Sequence, residues 1–406
     1  MPAGIMNTQD MFPGFEPQPE VVAFTPTRQA GLARLEKFVS RAGRHYARRR
    51  NYDLGSMQRG NVSALSPWIR HRLITEQEVL NSTCSHHSML AAEKFVQEVF
   101  WRTYFKGWLE QHPSVWVAYQ DGLARALDAD ARSSDYQDAM AGRTGIACFD
   151  HWVQELVQSG YLHNHVRMWF ASIWIFTLRL PWQLGADFFL RHLIDGDPAS
   201  NTLSWRWVGG LHTKGKTYLA RPDNIAKYTD GRFHPVGQLA TVAEPLMEQV
   251  AHPLVQLPAT DPTPKEECLL FITEEDCQVE TLLPHTPMAR LGLLAKQSLG
   301  VSAIAQNFSK SAVEATSGTL IDVTTPWRDQ IIEAAMAAGT NTVVTGYAPV
   351  GPVADQLAAL NLPEAGITLH HIRRDYDTLA WPHATKGFFG LKKKIPHILR
   401  ELGFAV

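Results

Sequence analysis

Residues 195–207 read Asp195-Gly-Asp197-Pro-Ala-Ser-Asn201-Thr-Leu-Ser-Trp205-Arg-Trp207, and the rest of the chain is organised around this stretch. Two acids flank a glycine, so both carboxylates can lie at one end of a helix and accept several hydrogen bonds. The Asn and the two Trp follow at spacings that let them converge on one flat heteroaromatic ligand. A single Asp or Trp is most simply a helix cap or a core aromatic, but the combination favours a binding site.

Two motifs precede this stretch. Gly142-Arg-Thr-Gly145 comes shortly before Asp150, and Tyr161-Leu-His-Asn-His-Val-Arg-Met168 follows. Together with residues 195–207 they closely resemble the flavin-binding domain of the photolyase/cryptochrome family. The resemblance runs from about Phe24 to about Asn224, roughly half of the chain. It implies an all-α flavin-binding domain of the photolyase type, and alternating strand and helix patterns predict a small α/β domain after it.

The composition is that of a soluble globular protein. The chain of 406 residues is long enough for two or three domains. Hydrophobic residues make up 45% of it and charged residues 19%. The formal net charge of -2 gives no global basic field, so DNA binding would need a local patch. The four Cys lie at no paired spacing, which argues against a metal site and disulfides. With no signal peptide and no spanning apolar run, we expect a cytoplasmic monomer that does not bind membranes.

Four segments are predicted along the chain. They are an N-terminal tail at 1–23, the α-helical FAD-binding domain at 24–235, a Pro-rich linker at 236–264 and an α/β domain at 265–406. The candidate strands are Cys268–Ile272, Val301–Ile304, Thr319–Val323, Thr342–Thr345 and Ile367–Ile372. Helical patterns at Trp327–Ala338 and Val353–Leu360 alternate with them, which predicts a mainly parallel sheet. Residues 110–140 are predicted to be a connection with short helices.

The order of the domains differs from the usual family layout. Photolyases and cryptochromes typically carry an α/β antenna domain before the flavin domain, whereas here an α/β domain follows it. Val344–Pro352 and Trp381–Phe389 are similar to the closing part of an antenna domain. The C-terminal domain is therefore either a permuted antenna-like domain or an unrelated appendage. Whether it binds an antenna chromophore is left open.

The resemblance implies FAD as the cofactor and assigns its contacts. The turn Asn61–Pro67 corresponds to the turn that grips the cofactor pyrophosphate, and Ser side chains and amides before a helix suit a phosphate. Val62 stands where the family usually has Thr. Asp195 is expected to pair with Arg167, and Asn201 to face flavin N5. The residues expected to contact FAD are Tyr46, Ser63, Ala64, Leu65, Ser66, Phe95, Arg102, Asn164, Arg167, Asp195, Asp197 and Asn201.

A second set of residues is expected to bind a DNA lesion. Glu98, Trp101 and Arg102 lie within one helical turn or so and can share a face. In the family, this Glu and Trp contact the damaged bases. His165 replaces the Arg that is usual in dimer-repairing members, and a protonated His would supply part of that charge. The full catalytic set is Arg50, Glu98, Trp101, Asn164, His165, Met168 and Trp207.

Charged and aromatic residues around this pocket complete the expectations. Arg50 is expected to form a basic patch with His212, Lys214 and Lys216. Trp205 and Trp182 correspond to the first two members of the family's electron-transfer chain, and no Trp lies near Ala129, where the third is expected. The alternative terminal donors are Tyr136, Trp152, Trp169 and Trp174, although packing in the core is the simpler explanation for each.

The resemblance implies light-driven DNA repair by a deoxyribodipyrimidine photolyase. That reaction adds one electron to a flipped-out pyrimidine dimer in UV-damaged DNA, breaks two C–C bonds and recovers the electron. Asn164 and Met168 are more similar to the pattern of dimer-repairing enzymes than to that of enzymes acting on the (6-4) lesion. The alternatives are a cryptochrome-like blue-light photoreceptor that binds FAD, and a flavoprotein without a light function. The lesion-pocket residues favour repair, because a receptor has no need of them.

Overall fold

The computed structural model describes residues 21–295, 300–322 and 324–404. Most of the predicted tail, residues 1–20, lies outside the described residues. The first described segment is extended, and the Phe24 ring stacks on Tyr161 with centroids 5.1 Å apart. The first helix begins at Arg28, because the Thr27 side chain caps it by accepting a hydrogen bond from Ala30 N at 3.2 Å.

A helical unit occupies the first half of the chain. Its α-helices are α1 (Arg28–Val39), α2 (Arg44–Arg49), α3 (Ser66–Arg70), α4 (Glu76–His86), α5 (Met89–Glu110), α6 (Ser114–Asp130), α7 (Ser134–Ala141), α8 (Ala147–Ser159), α9 (Asn164–Ser172), α10 (Trp182–His192), α11 (Pro198–Val208) and α12 (Pro222–Tyr228). A π-helical turn, Ile173–Thr177, continues α9. The prediction that residues 110–140 form a connection with only short helices was wrong. It contains the 17-residue α6, which buries Val115, Tyr119, Gly122 and Ala126 at helical spacing.

An α/β unit follows, as predicted. Its strands are β1 (Leu269–Ile272), β2 (Ala289–Gly292), β3 (Thr342–Gly346) and β4 (Thr368–Ile372), and its α-helices are α13 (Ala303–Ser317), α14 (Trp327–Ala338), α15 (Pro352–Ala358), α16 (Asp375–Ala380), α17 (Phe389–Lys392) and α18 (Ile395–Glu401). The strand order is β2-β1-β3-β4, and every described pairing is parallel. All four residues of β1 are buried, because helices cover both faces of the sheet.

Two of the predicted strands were wrong, and one strand was missed. Val301–Ile304 instead contains Ser302, whose side chain accepts from Ala305 N and caps α13. Thr319–Asp322 forms no strand, because Thr319 N and Ile321 N donate to side chains of α13 rather than to a ladder, and Val323 lies outside the described residues. The short β2 is a partly exposed edge strand without a strong β pattern.

The segment between the two units is extended and packs on both of them. Val255 N donates to Gln111 O at 2.9 Å, and Asp261 exchanges hydrogen bonds with the backbone of His371. The carboxyl edge of the sheet faces the helical unit, where Cys277 N donates to His71 O at 2.9 Å. In the part of the chain that the structure describes, no helix has the length and apolar character needed to cross a membrane.

Candidate active site

One cavity of about 450 Å³ lies within the helical unit, between α2, the turn before α3, α5, α9 and α11. It brings together most of the residues that the sequence assigned to a site. The assigned residues that line it are Tyr46, Arg50, Ser63, Ala64, Ser66, Phe95, Glu98, Trp101, Arg102, Asn164, His165, Arg167, Met168, Asp195, Asp197, Asn201, Trp205 and Trp207. Leu65 and Trp182 are not among the lining residues, and the Leu65 side chain is fully buried in the core.

The buried part of the lining, here called the inner wall, consists of Asp195, Asp197, Asn201 and Trp205. Asp197 caps α11 by accepting from Ser200 N at 2.7 Å. Arg102 and Lys106 approach its carboxylate to 3.3 and 3.5 Å. Burial alone would raise the pKa of Asp197, but the neighbouring cations hold that pKa well below its usual range. The inner wall therefore keeps a fixed negative charge.

Asp195 is the second fixed acid of the inner wall. The Arg167 guanidinium donates to both of its carboxylate oxygens, at 3.0 and 2.8 Å, so the expected contact is present. Burial opposes ionisation of Asp195, but Arg167 and the Ser66 hydroxyl together lower its pKa. Asn201 is held by a hydrogen bond from its Nδ2 to Ala186 O at 2.8 Å. These contacts fix the side chains before any ligand binds.

The turn before α3 is held in a strained conformation. Ala64 has a φ of 50°, which is uncommon for a residue with a Cβ. The buried Arg34 of α1 supports the turn by donating to Ser63 O at 2.6 Å and to Val62 O at 2.8 Å. Sequence reasoning missed Arg34, because an Arg on a helix is usually exposed and nothing local marks it as buried.

The α/β unit also reaches the inner wall through buried charges that sequence reasoning missed. Glu275, just after β1, accepts from Arg70 at 2.7 Å and lies 3.5 Å from Lys106. Arg70 donates in turn to Gly196 O at 2.8 Å, between the two acids. Lys106 bridges Glu275 and Asp197 at 3.5 Å each. This buried ion network ties the second unit to the wall of the cavity.

The partly exposed lining, here called the mouth, consists of Arg50, Glu98, Trp101, Asn164, Met168 and Trp207. Arg50 and Glu98 form an ion pair whose side chains are 28% and 26% exposed. Burial raises the pKa of Glu98 although Arg50 opposes the shift. The Trp101 ring stacks on Phe388 of the α/β unit, with centroids 3.9 Å apart and planes at 13°. The mouth thus combines a titratable carboxyl with aromatic faces.

Two histidines differ from the charged roles expected of them. His165 contacts Asn51 O and the Tyr218 hydroxyl through its two ring nitrogens, and burial lowers its pKa. His212 contacts the Tyr104 hydroxyl at 2.9 Å, and burial lowers its pKa to about 4. Burial therefore favours the neutral form of both rings, against the positive charge expected of them.

A series of aromatic contacts begins at Trp205 behind the cavity. Trp205 contacts Trp174 edge-on, with centroids 6.1 Å apart, and Trp174 contacts Tyr136 at 6.2 Å. Trp182 packs instead against Tyr119 at 5.6 Å. The structure thus links Trp205 to two of the aromatics that the sequence offered as alternative donors.

Three buried polar atoms of the cavity lining bear on its fit to FAD. Ser200 Oγ and Trp205 Nε1 both belong to lining residues, are buried and have no hydrogen-bond partner within the described chain. Arg102 Nη1 likewise makes no hydrogen bond there, although it lies 3.3 Å from Asp197. Buried polar atoms normally have partners, so these atoms point to a polar ligand. The residues present therefore fit a cofactor that carries both hydrogen-bonding groups and phosphates.

Comparisons with known proteins identify this part of the chain. Residues 95–265 match the family model for the FAD binding domain of DNA photolyase. The deoxyribodipyrimidine photo-lyase of a Synechococcus species is 26% identical over 189 residues, which cover 45% of this chain and 38% of that protein. The one from Streptomyces griseus is 31% identical over 178 residues, covering 40% of this chain and 38% of that protein.

A solved structure adds a third comparison. The bacterial class III photolyase of Agrobacterium tumefaciens is 26% identical, with a TM-score of 0.42, over 50% of this chain and 43% of that one. The match spans less than half of the length of each of these relatives. The family match alone shows that residues 95–265 form an FAD-binding domain of the type found in DNA photolyase, with FAD as the cofactor.

Proposed function

We propose that the protein is a light-driven DNA repair enzyme that reverses cyclobutane pyrimidine dimers in UV-damaged DNA. The observation that carries this proposal is a single cavity whose inner wall fits FAD and whose mouth combines Glu98, Arg50 and two partly exposed tryptophans. The curated relatives at 26% and 31% identity are deoxyribodipyrimidine photo-lyases, which supports the same reaction class. A protein that only binds FAD has no use for this mouth.

The cavity supplies the physical requirements of such a reaction. FAD, when bound, supplies the electron that dimer reversal needs. Trp101 and Trp207 offer aromatic faces on which flipped-out bases can stack. The walls shield the lesion from water, so each electrostatic contact inside is stronger than in solution.

Glu98 is the residue with the most direct chemical role in this proposal. Burial raises the pKa of Glu98 against the opposing effect of Arg50, and its carboxyl lies in the mouth, where it can hydrogen-bond the edge of a pyrimidine. Arg50 beside it supplies positive charge next to the negative charge that develops on the dimer. Met168 and Asn164 complete the partly exposed rim of the mouth.

The proposal is tested with purified protein and a duplex oligonucleotide containing one defined dimer. The flavin is chemically reduced beforehand, and dimer loss is measured by chromatography under blue light and in the dark. We expect intact pyrimidines to appear only in the light. FAD-loaded protein that leaves the dimer unchanged in the light would reject repair and leave the photoreceptor alternative.

A further inference from the structure

We propose that residues 385–394 of the α/β unit form a DNA-binding segment beside the mouth of the cavity. This inference rests on the proposed function, because its ligand is the duplex that carries the lesion. The segment contains the short helix α17 and the sequence Thr-Lys-Gly-Phe-Phe-Gly-Leu-Lys-Lys-Lys.

The position of the segment is fixed by contacts with the mouth. Phe388 stacks on Trp101, a lining residue, with ring centroids 3.9 Å apart. The Tyr104 hydroxyl donates to Lys386 O at 2.7 Å and also contacts His212. Segment 385–394 therefore lies next to the mouth, and Tyr104 links it to His212, which precedes the exposed Lys214 and Lys216.

The outer surface of the segment presents one aromatic ring among unpaired cations. Phe389, the next residue after the buried Phe388, is 73% exposed. Lys386, Lys393 and Lys394 are exposed, and none of them has an ion-pair partner within 4 Å among residues 21–295, 300–322 and 324–404. An acid near the segment, Glu93, is already paired with Lys392 at 3.2 Å.

This combination matches the chemistry of DNA next to a flipped-out lesion. Lysines bind phosphates and release counterions, which makes the affinity depend on salt. Extrusion of the dimer exposes the faces of the neighbouring bases, on which an apolar or aromatic ring can stack. We therefore assign the lysines to phosphates of either damaged or undamaged duplex, and Phe389 to a base exposed beside the lesion.

The test measures binding by FAD-loaded, full-length protein to a fluorescent duplex with or without one cyclobutane dimer. Lys386, Lys393 and Lys394 are replaced together by Ala, and Phe389→Ala is made separately. The lysine variant should bind both duplexes at least tenfold more weakly than the wild type. Its slope of log affinity against log salt concentration should be smaller in magnitude by about 2 to 3. Phe389→Ala should lower the affinity for the damaged duplex about 5- to 100-fold and the affinity for the undamaged duplex much less.

Matched controls come from the opposite edge of the sheet. Lys265 is exposed just before β1, and Met336 is 76% exposed on α14. Lys265→Ala and Met336→Ala should bind both duplexes as the wild type does. Melting temperature and FAD content establish that each variant is folded.

The outcomes separate this inference from the proposed function. If the wild type binds and repairs damaged duplex but both segment variants bind it with unchanged affinity and salt slope, the inference is wrong and repair stands. A wild type that neither prefers damaged duplex nor splits the dimer rejects the proposed function, and the inference with it.

Discussion

The charged pairs of the inner wall are buried, whereas those of the mouth of the same cavity are partly exposed to solvent. Asp197 and Lys106 of the inner network are only 2% and 3% exposed. The Arg50–Glu98 pair of the mouth is more than a quarter exposed on each side. Buried pairs are costly to disrupt, whereas exposed pairs exchange readily with solvent and ligands. The difference indicates that the inner wall is built for a resident ligand and the mouth for one that comes and goes.

The largest effect is expected from Asp197→Asn. This change leaves Lys106, Arg102 and Arg70 facing a neutral group, and removal of one partner from a buried ion network typically costs about 3–5 kcal/mol. We expect a lower free energy of unfolding and loss of FAD, measured by denaturant titration and flavin absorbance. The exposed Asp223→Asn is the control. Unchanged FAD content in the Asp197 variant would contradict the role of the inner wall.

A smaller effect is expected from Glu275→Gln in the α/β unit. The substitution keeps the size of the side chain but removes the charge that holds Arg70 and Lys106. We expect a loss of about 1–3 kcal/mol in unfolding free energy. In a double-mutant cycle with Asp197→Asn, the coupling should be about 0.5–3 kcal/mol.

Glu364→Gln is the control for this cycle, because its carboxylate is 68% exposed. Additive effects of the Glu275 and Asp197 substitutions would show that the two units stabilise themselves separately.

A substitution in the mouth should change the free energy of unfolding much less than one in the inner wall. Arg50→Gln breaks an ion pair that is partly exposed, and such pairs contribute about 0.2–1 kcal/mol. We expect an unfolding free energy within about 1 kcal/mol of the wild type, normal FAD content and weaker binding of damaged DNA. A loss of stability as large as that of Asp197→Asn would remove the distinction between the two regions.

The smallest expected effect is the pH at which buried carboxyl groups of the cavity lose their protons. Infrared spectroscopy between pH 3 and pH 8 measures it. Asp195 and Asp197 have pKa values below the ordinary 3.8, so their contribution to stability is present above that pH and is lost as the pH falls through the lowered values. Glu98 has a pKa raised above 4.5, so its contribution is full below 4.5 and is lost as the pH rises through the raised value.

A protonated carboxyl band should therefore persist above pH 4.5 in the wild type and be weaker in Glu98→Gln, where other buried acids with raised pKa values, such as Glu274, keep the remainder. If the two proteins show the same band, another acid is responsible, and the assigned direction for Glu98 is wrong.

The sequence predicted the cavity better than the structure around it. Asp195, Arg167 and Glu98 lie on different elements, and they were assigned to one site through the family resemblance of their motifs; all three line the cavity. Arg34, Lys106 and Glu275 were not foreseen, because their partners lie far away in sequence and a charged side chain is normally exposed.

The α/β unit shows a second limit of sequence reasoning. Strand β1 was recognised from a continuous apolar run and β3 was also predicted, whereas β2 is a short edge strand with an Arg and a Gly. Ser302 lay within the predicted strand Val301–Ile304, but its hydroxyl caps helix α13. Local side-chain hydrogen bonds, which no apolar pattern records, decided these cases.

The central claim is that the mouth performs light-driven repair while the inner wall holds FAD. The most direct test is the number of dimers lost per absorbed photon in wild type, Glu98→Ala and the exposed control Glu364→Ala, all fully reduced and matched for FAD. We expect turnover by the wild type and the control, and a yield about 10- to 1,000-fold lower for Glu98→Ala with an unchanged flavin spectrum. Equal yields in all three proteins would remove Glu98 from the mechanism, and no dimer loss by the wild type would contradict the claim itself.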